Sequence, residues 1–125
     1  MKSKLSESRY VLILLSKKRS LFQNQVKEKL EEIVEQKGYI AISLAYDLDE
    51  DRLAAIRALA GTLDLAGMVA FPDRDGVLSG AFFEGLRFPV VLIGNPVDRF
   101  AADTLLPDTF EGSYRAVRHL IKNGH

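Results

Sequence analysis

Three cations stand together in this chain, Lys17-Lys18-Arg19, directly ahead of a serine that can start a helix. Cationic side chains beside free helical amides make an anion site, because both offer positive charge to the same point. No glycine-rich turn precedes them, so the backbone cannot wrap a phosphate as a P-loop does. Asp47-Leu-Asp-Glu-Asp51 places carboxylates at the first, third and fifth positions of a calcium loop. Arg52 replaces the turn glycine and Ala58 the bidentate glutamate, so these acids are read as partners of a helix start. His119 and His125 are six apart, which is not the spacing of a one-face metal site. A phosphoacceptor site would need acidic residues after the first strand to hold magnesium, and the charge there is the opposite. With no G-x-S-x-G elbow and no cysteine nucleophile, nothing points to catalysis, and neither a cofactor nor a metal is expected.

Those residues need elements to hold them. Tyr10–Leu15 is an uncharged apolar run bounded by polar residues, the pattern of a strand buried on both faces of a parallel sheet. In such a sheet ligands sit at the carboxyl ends of the strands, so the loop Ser16–Ser20 is the first place to look for a binding site, and Phe22 lies at its mouth. Ser20-Leu-Phe-Gln23 has the form of a capping box. The helix it opens carries Phe22, Val26, Leu30, Ile33 and Val34 on one face and ends at Lys37-Gly38. Further strands are expected at Tyr39–Tyr46, Leu65–Phe71 and Pro89–Ile93, with a short extended piece within Asp103–Pro107. Helices are expected with an apolar stripe of Leu53, Ile56, Leu59, Ala60 and Leu63, over Val77–Leu86, and after Asp108, where Asp-x-x-Glu again sets a cap. Strand and helix alternate throughout, which implies a doubly wound α/β fold with a parallel sheet and helices on both faces.

Composition narrows the partners. The 125 residues suit one domain that folds without staples, and Lys plus Arg equals Asp plus Glu at 17 each, so no global field draws the chain to nucleic acid or to an anionic membrane. The absence of cysteine favours a cytoplasmic setting. Residues 1–8 lack the apolar core of an export signal, and Tyr10–Leu15 is too short to span a bilayer. Residues 1–8 are read as a polar lead-in and 9–125 as the folded unit.

Asp108-Thr-Phe-Glu-Gly112 leading into Ala116–His125 resembles the "D-N-x-x-G … H-L-x-x-x-G-H" segment of the lactose-repressor (LacI) family of bacterial transcription regulators. Tyr10–Leu15 with Phe22 is similar to that family's first strand and "S-N-P-F-F" loop; Gly38-Tyr39 to its "G-Y"; Leu65–Val69 to "V-D-G-I-I"; Phe88–Ile93 to "I-P-V-V-L-I". The likeness spans nearly the whole chain. It implies the N-terminal α/β subdomain of a periplasmic-binding-protein-like effector domain in a homodimeric cytoplasmic regulator. Two such subdomains close on a small effector, commonly a sugar or nucleobase derivative. Operator DNA would be met only through a headpiece that residues 1–8 cannot encode, and no membrane is involved. A stand-alone flavodoxin-like interaction module is the alternative reading, and a transporter's substrate-binding subunit a third.

The resemblance also implies where the effector would lie. Ser16, Lys17, Arg19, Phe22, Phe71, Pro72, Gly94 and Asp108 are the candidate contacts. Arg19-Ser20-Leu21 stands where the family has "S-N-P", and Gly94 where it often has an aspartate. Both departures, with the basic run, shift the expectation toward an anionic effector. The family continues beyond the position matched by Gly124-His125 into a further strand and the second subdomain. The chain alone is therefore expected to bind weakly and to expose Val90–Ile93 as a bare apolar edge that favours a dimer or a swapped assembly.

Overall fold

A computed structural model of the chain describes residues 9–105, 115 and 117–121. Five strands, β1 (Tyr10–Ser16), β2 (Ile40–Tyr46), β3 (Leu65–Ala70), β4 (Val90–Ile93) and β5 (Asp103–Leu105), form one sheet. Its order is β2-β1-β3-β4-β5, and every pairing is parallel. Three helices join them: α1 (Leu21–Gln36), α2 (Glu50–Thr62) and α3 (Gly80–Phe83). Residues 117–121 are also helical.

The sheet is buried on both faces, as the uncharged runs require. Val11, Ile13 and Leu15 of β1 pack with Val26, Leu30, Ile33 and Val34 of α1 and with Val117 and Leu120. Leu12 and Leu14 point the other way, to Ile56 and Ala60 of α2 and to Phe82 and Phe83 of α3. Alternation along β1 thus assigns α1 and the 117–121 helix to one face and α2 and α3 to the other. Residues Val11–Leu15 are at most 1% exposed, so the first strand is the centre of the core.

Local chemistry sets the boundaries. Ser20 closes α1 with the expected reciprocal box: its Oγ accepts from the Gln23 amide at 3.1 Å, and Gln23 Oε1 accepts from the Ser20 amide at 3.0 Å. Gly38, at φ 89°, ends that helix in a conformation a side chain resists. Asp49 caps α2 by accepting from the amides of Asp51 and Arg52 at 2.9 and 3.4 Å, so the acidic turn serves the helix start.

Four expectations need correction. The helix foreseen over Val77–Leu86 contracts to the four residues of α3. Gly76 and Gly85 take φ of 74° and 80°, and the Val77 amide is spent on the Asp73 carboxylate at 3.1 Å, so a turn occupies the first part of that span. On α2, Leu59 is 40% exposed, and the helix buries only Ile56 and Ala60. Phe22 is 43% exposed rather than core, one turn ahead of Val26, the first buried residue of α1. Finally, Val90–Ile93 is not a bare edge: β5 pairs with it in parallel register, and Val91, Leu92 and Ile93 are 1–2% exposed. The cap foreseen at Asp108 lies outside the described residues.

Candidate functional site

In a sheet of order 2-1-3-4-5 the winding reverses between β1 and β3, and a crevice opens beyond their carboxyl ends. The chain leaves the sheet there at Ser16, at Phe71-Pro72 and, one strand further, at Gly94-Asn95. Two side chains and one glycine turn hold these ends in register. Tyr46, fully buried at the end of β2, donates its hydroxyl to the Phe71 carbonyl at 2.7 Å. Asn95 Nδ2 donates to the next carbonyl, that of Pro72, at 3.0 Å. Gly94, at φ 97°, turns the chain so that Asn95 can reach.

Asp73 follows at once. Its Oδ1 accepts from the Val77 amide, which fixes the loop, and its charge lies close enough to Tyr46 to act on it. Burial and, second, that carboxylate hold the Tyr46 hydroxyl protonated well above its ordinary range. Beyond Asp73 a cavity of about 680 Å³ opens between the loop after β3 and the loop after β4. Asp73, Arg74, Ser79, Gly80, Asp98 and Arg99 are among its lining residues. The two loops touch closely: a Cβ on Gly80 would lie 2.8 Å from the Asp98 carbonyl oxygen. Arg99 takes φ of 61°, an uncommon left-handed conformation for a residue with a side chain. A space of this size suits a small molecule, and its mixture of carboxylates, guanidinium groups and a hydroxyl can both accept and donate hydrogen bonds.

The candidates foreseen from the sequence divide. Ser16 lies at the crevice, its Oγ accepting from the Lys18 amide at 3.1 Å. Lys17 and Arg19 do not make an open cationic cradle. Lys17 Nζ pairs with Asp47 at 3.2 Å, and Arg19 donates from Nε to Asn24 Oδ1 at 2.5 Å and from Nη1 to the Ser16 carbonyl at 3.2 Å. Asp47 is held below the usual carboxylate range first by the Asp49 amide and then by the Lys17 ammonium. The amides of Ser20, ahead of α1, and of Gln23 within it are spent on the capping box. Lys17 and Arg19 of the basic run are thus engaged within the chain, while Lys18 between them is exposed.

Phe71 and Pro72 are both buried. The Phe71 ring packs among Ile13, Leu15 and Ile93 on the α1 face and belongs to the core, so this pair contributes backbone carbonyls to the site. Phe22, half-exposed at the first turn of α1, remains available to a ligand. Tyr46, Asp73, Asn95 and the pair Asp98-Arg99 were not among the foreseen contacts. Asp73 carried only a turn signal in Pro-Asp-Arg-Asp-Gly, and Asn95 only that of an irregular stretch.

No family model matches the chain, and no curated protein matches it in sequence. Solved structures match in fold. A fragment named as a lipoprotein, from Peptoclostridium difficile 630, is similar with a TM-score of 0.67 at 14% identity, over 94% of this chain and 98% of that one. A periplasmic binding protein/LacI transcriptional regulator from Alkaliphilus metalliredigens QYMF, complexed with D-xylulofuranose, is similar with a TM-score of 0.61 at 23% identity, over 94% of this chain and 42% of that one. A LacI-type transcription regulator from Bifidobacterium animalis subsp. lactis DSM 10140 gives a TM-score of 0.56 at 18% identity, over 78% of this chain and 34% of that one. The chain thus spans less than half the length of the two regulators it resembles. At these identities the likeness is one of fold: an α/β parallel sheet of the periplasmic-binding-protein-like kind. Among the described residues no helix is long and apolar enough to cross a membrane.

Proposed function

We infer that this chain is the N-terminal, effector-sensing half of a LacI-type regulator's small-molecule domain, and that its carboxyl edge is one jaw of the effector cleft. The observation that carries the reading is the convergence of Tyr46 and Asn95 on successive carbonyls at the end of β3, which sets Asp73 at the winding reversal. Such bonding fixes a loop in advance of a ligand, and pre-organisation of this kind lowers the cost of binding. Asp73, Asp98, Arg74 and Arg99 offer acceptors and donors in alternation, the chemistry that matches neighbouring hydroxyls of a polyol. With Lys17 and Arg19 already engaged, a neutral sugar fits better than a phosphorylated one. The D-xylulofuranose held by the Alkaliphilus protein supports that class. DNA recognition, the second jaw and a cytoplasmic setting belong to this reading of the parent regulator.

Titrating the chain with a panel of ketoses, aldoses and their phosphate esters, followed by calorimetry and thermal shift, tests it. A weak response, in the millimolar range because one jaw is present, is expected for at least one neutral sugar and is abolished by Asp73→Asn with Asn95→Ala. A response confined to the phosphate esters, or one unmoved by that double substitution, overturns it.

A further inference from the structure

Arg99 holds a backbone conformation that its side chain resists. Its φ of 61° is one that glycine takes freely, and Arg99 is the sole described residue other than glycine with a positive φ. It stands third in the turn Val97–Phe100, which the Phe100 amide closes on the Val97 carbonyl at 3.3 Å. A positive φ at that position of a turn usually falls to glycine or asparagine. No bond made by the side chain offsets the strain: among the described residues the Arg99 guanidinium has neither a hydrogen bond nor an ion pair, and the same holds for the Asp98 carboxylate beside it. Both side chains are exposed and both line the cavity between the loops after β3 and β4.

The conformation is enforced from outside the turn. Val97, 6% exposed, anchors its first end in the core. Phe100 anchors the other by laying its ring on Phe83, with centroids 4.6 Å apart and 14° between the planes. Between these anchors Gly80 lies so close that a Cβ there would sit 2.8 Å from the Asp98 carbonyl oxygen and 3.1 Å from that of Arg99. Both ends of α3 therefore grip the turn: Gly80 meets its backbone and Phe83 its last ring.

A helix of four residues cannot supply that grip unaided. No side chain caps its start. Its far end is held from α2, where Arg57 donates from Nε to the Phe82 carbonyl at 3.0 Å and from Nη2 to the Glu84 carbonyl. The guanidinium thus straddles Phe83, the residue that stacks on Phe100. Arg57 does not line the cavity, so its influence there passes through α3.

We propose that Arg99 is the specificity-determining contact of this cavity, held against its own backbone preference by α3, and that Arg57 is the positioning residue that keeps α3 in place. The assignment rests on the effector reading above. Strain that the surroundings maintain at a ligand cavity fixes a group in advance of the ligand. A guanidinium donates in a planar fork to two neighbouring oxygens, which suits adjacent hydroxyls of a neutral sugar; an ammonium does not reproduce it.

Amide-shift titration of the labelled chain with D-xylulose and the other neutral sugars of the panel, with far-UV dichroism as a check on folding, tests this. Arg99→Gly, Arg99→Ala and Arg99→Lys, all at an exposed position, are each expected to weaken binding about tenfold or more. Arg99→Gly should melt about 4 °C or more above Arg99→Ala, since only the alanine keeps the resisted φ. Arg57→Lys, which cannot bridge two carbonyls, and Phe100→Leu, which loses the stack, should each weaken binding about threefold or more in the wild type and add nothing on top of Arg99→Gly. A residue that merely supports the fold would weaken both backgrounds by the same factor. Wild-type affinity in Arg99→Gly or Arg99→Lys, equal melting of the glycine and alanine variants, or equal losses in the two backgrounds overturns the assignment and leaves the effector reading standing. A wild type that none of these sugars binds overturns the effector reading itself, and this contact with it.

Discussion

Replacing Tyr46 by phenylalanine removes one atom from the core and leaves the ring in place. That oxygen is fully buried and donates to the Phe71 carbonyl at 2.7 Å, so its loss strands a buried acceptor at the end of β3. An unsatisfied buried group of this kind costs about 1–3 kcal/mol, which for a chain of this size lowers the melting temperature by about 4–12 °C. Tyr46→Phe also removes a titrating group, and the sign of that effect is fixed. The Tyr46 hydroxyl is held protonated in the folded chain far above its ordinary value of 10.0, so the unfolded chain ionises first. Its contribution is full below about pH 10 and falls as pH rises, by about 1.4 kcal/mol per pH unit while only the unfolded form has ionised. Urea unfolding of both proteins at neutral pH and at several alkaline values measures the two effects together. The wild type should be more stable at pH 7, and the gap should narrow above pH 10. Equal stabilities at pH 7, or a gap that keeps its size at high pH, would refute the assignment of Tyr46 as the anchor of the β3 end.

Two more predictions concern the loops. Gly80→Ala places a Cβ against the Asp98 carbonyl oxygen, a backbone atom that cannot turn aside, so the loop after β4 must shift. We expect a loss of about 1–3 kcal/mol by urea unfolding and chemical-shift changes that reach Asn95 and Arg99. Lys17→Ala removes one of the groups that lower Asp47, so its carboxyl should rise toward the ordinary value yet stay below it, because the Asp49 amide still donates at 2.9 Å. Carbon-13 titration of the Asp47 carboxyl reads this directly, and stability that depends on this group is present above its ordinary value and lost as pH falls.

Much of the scaffold is legible in the chain, and the reasons are local. The Ser20–Gln23 box names its own partners at a spacing of three, and Tyr10–Leu15 declares a strand buried on both faces by lacking any polar alternation. The parallel order and the winding reversal follow from strand and helix in turn. What local pattern cannot carry is which groups meet at the edge. Phe71 lies at the end of β3 by sequence, but in a sheet buried on both faces parity does not say whether a ring enters core or cleft. Lys17 and Arg19 announce positive charge, yet whether it is free depends on Asp47, thirty residues on, and on Asn24. Asn95 and Pro72 are 23 apart and meet only through the register of β3 with β4. The short span of α3 has the same origin, since its limits are set by glycine conformations and by contact with Asp98.

The carboxyl edge as an effector jaw is tested most directly by amide chemical-shift mapping on the isotopically labelled chain during titration with D-xylulose and related neutral sugars. Shifts are expected to gather at residues 16–22, 71–76 and 94–99, with millimolar saturation and with no counterpart at the amino ends of the strands. Shifts gathered instead around Phe83, Phe88 and Phe100, which line a separate cavity beside the amino end of β4, or spectra that no sugar in the series alters, would contradict it.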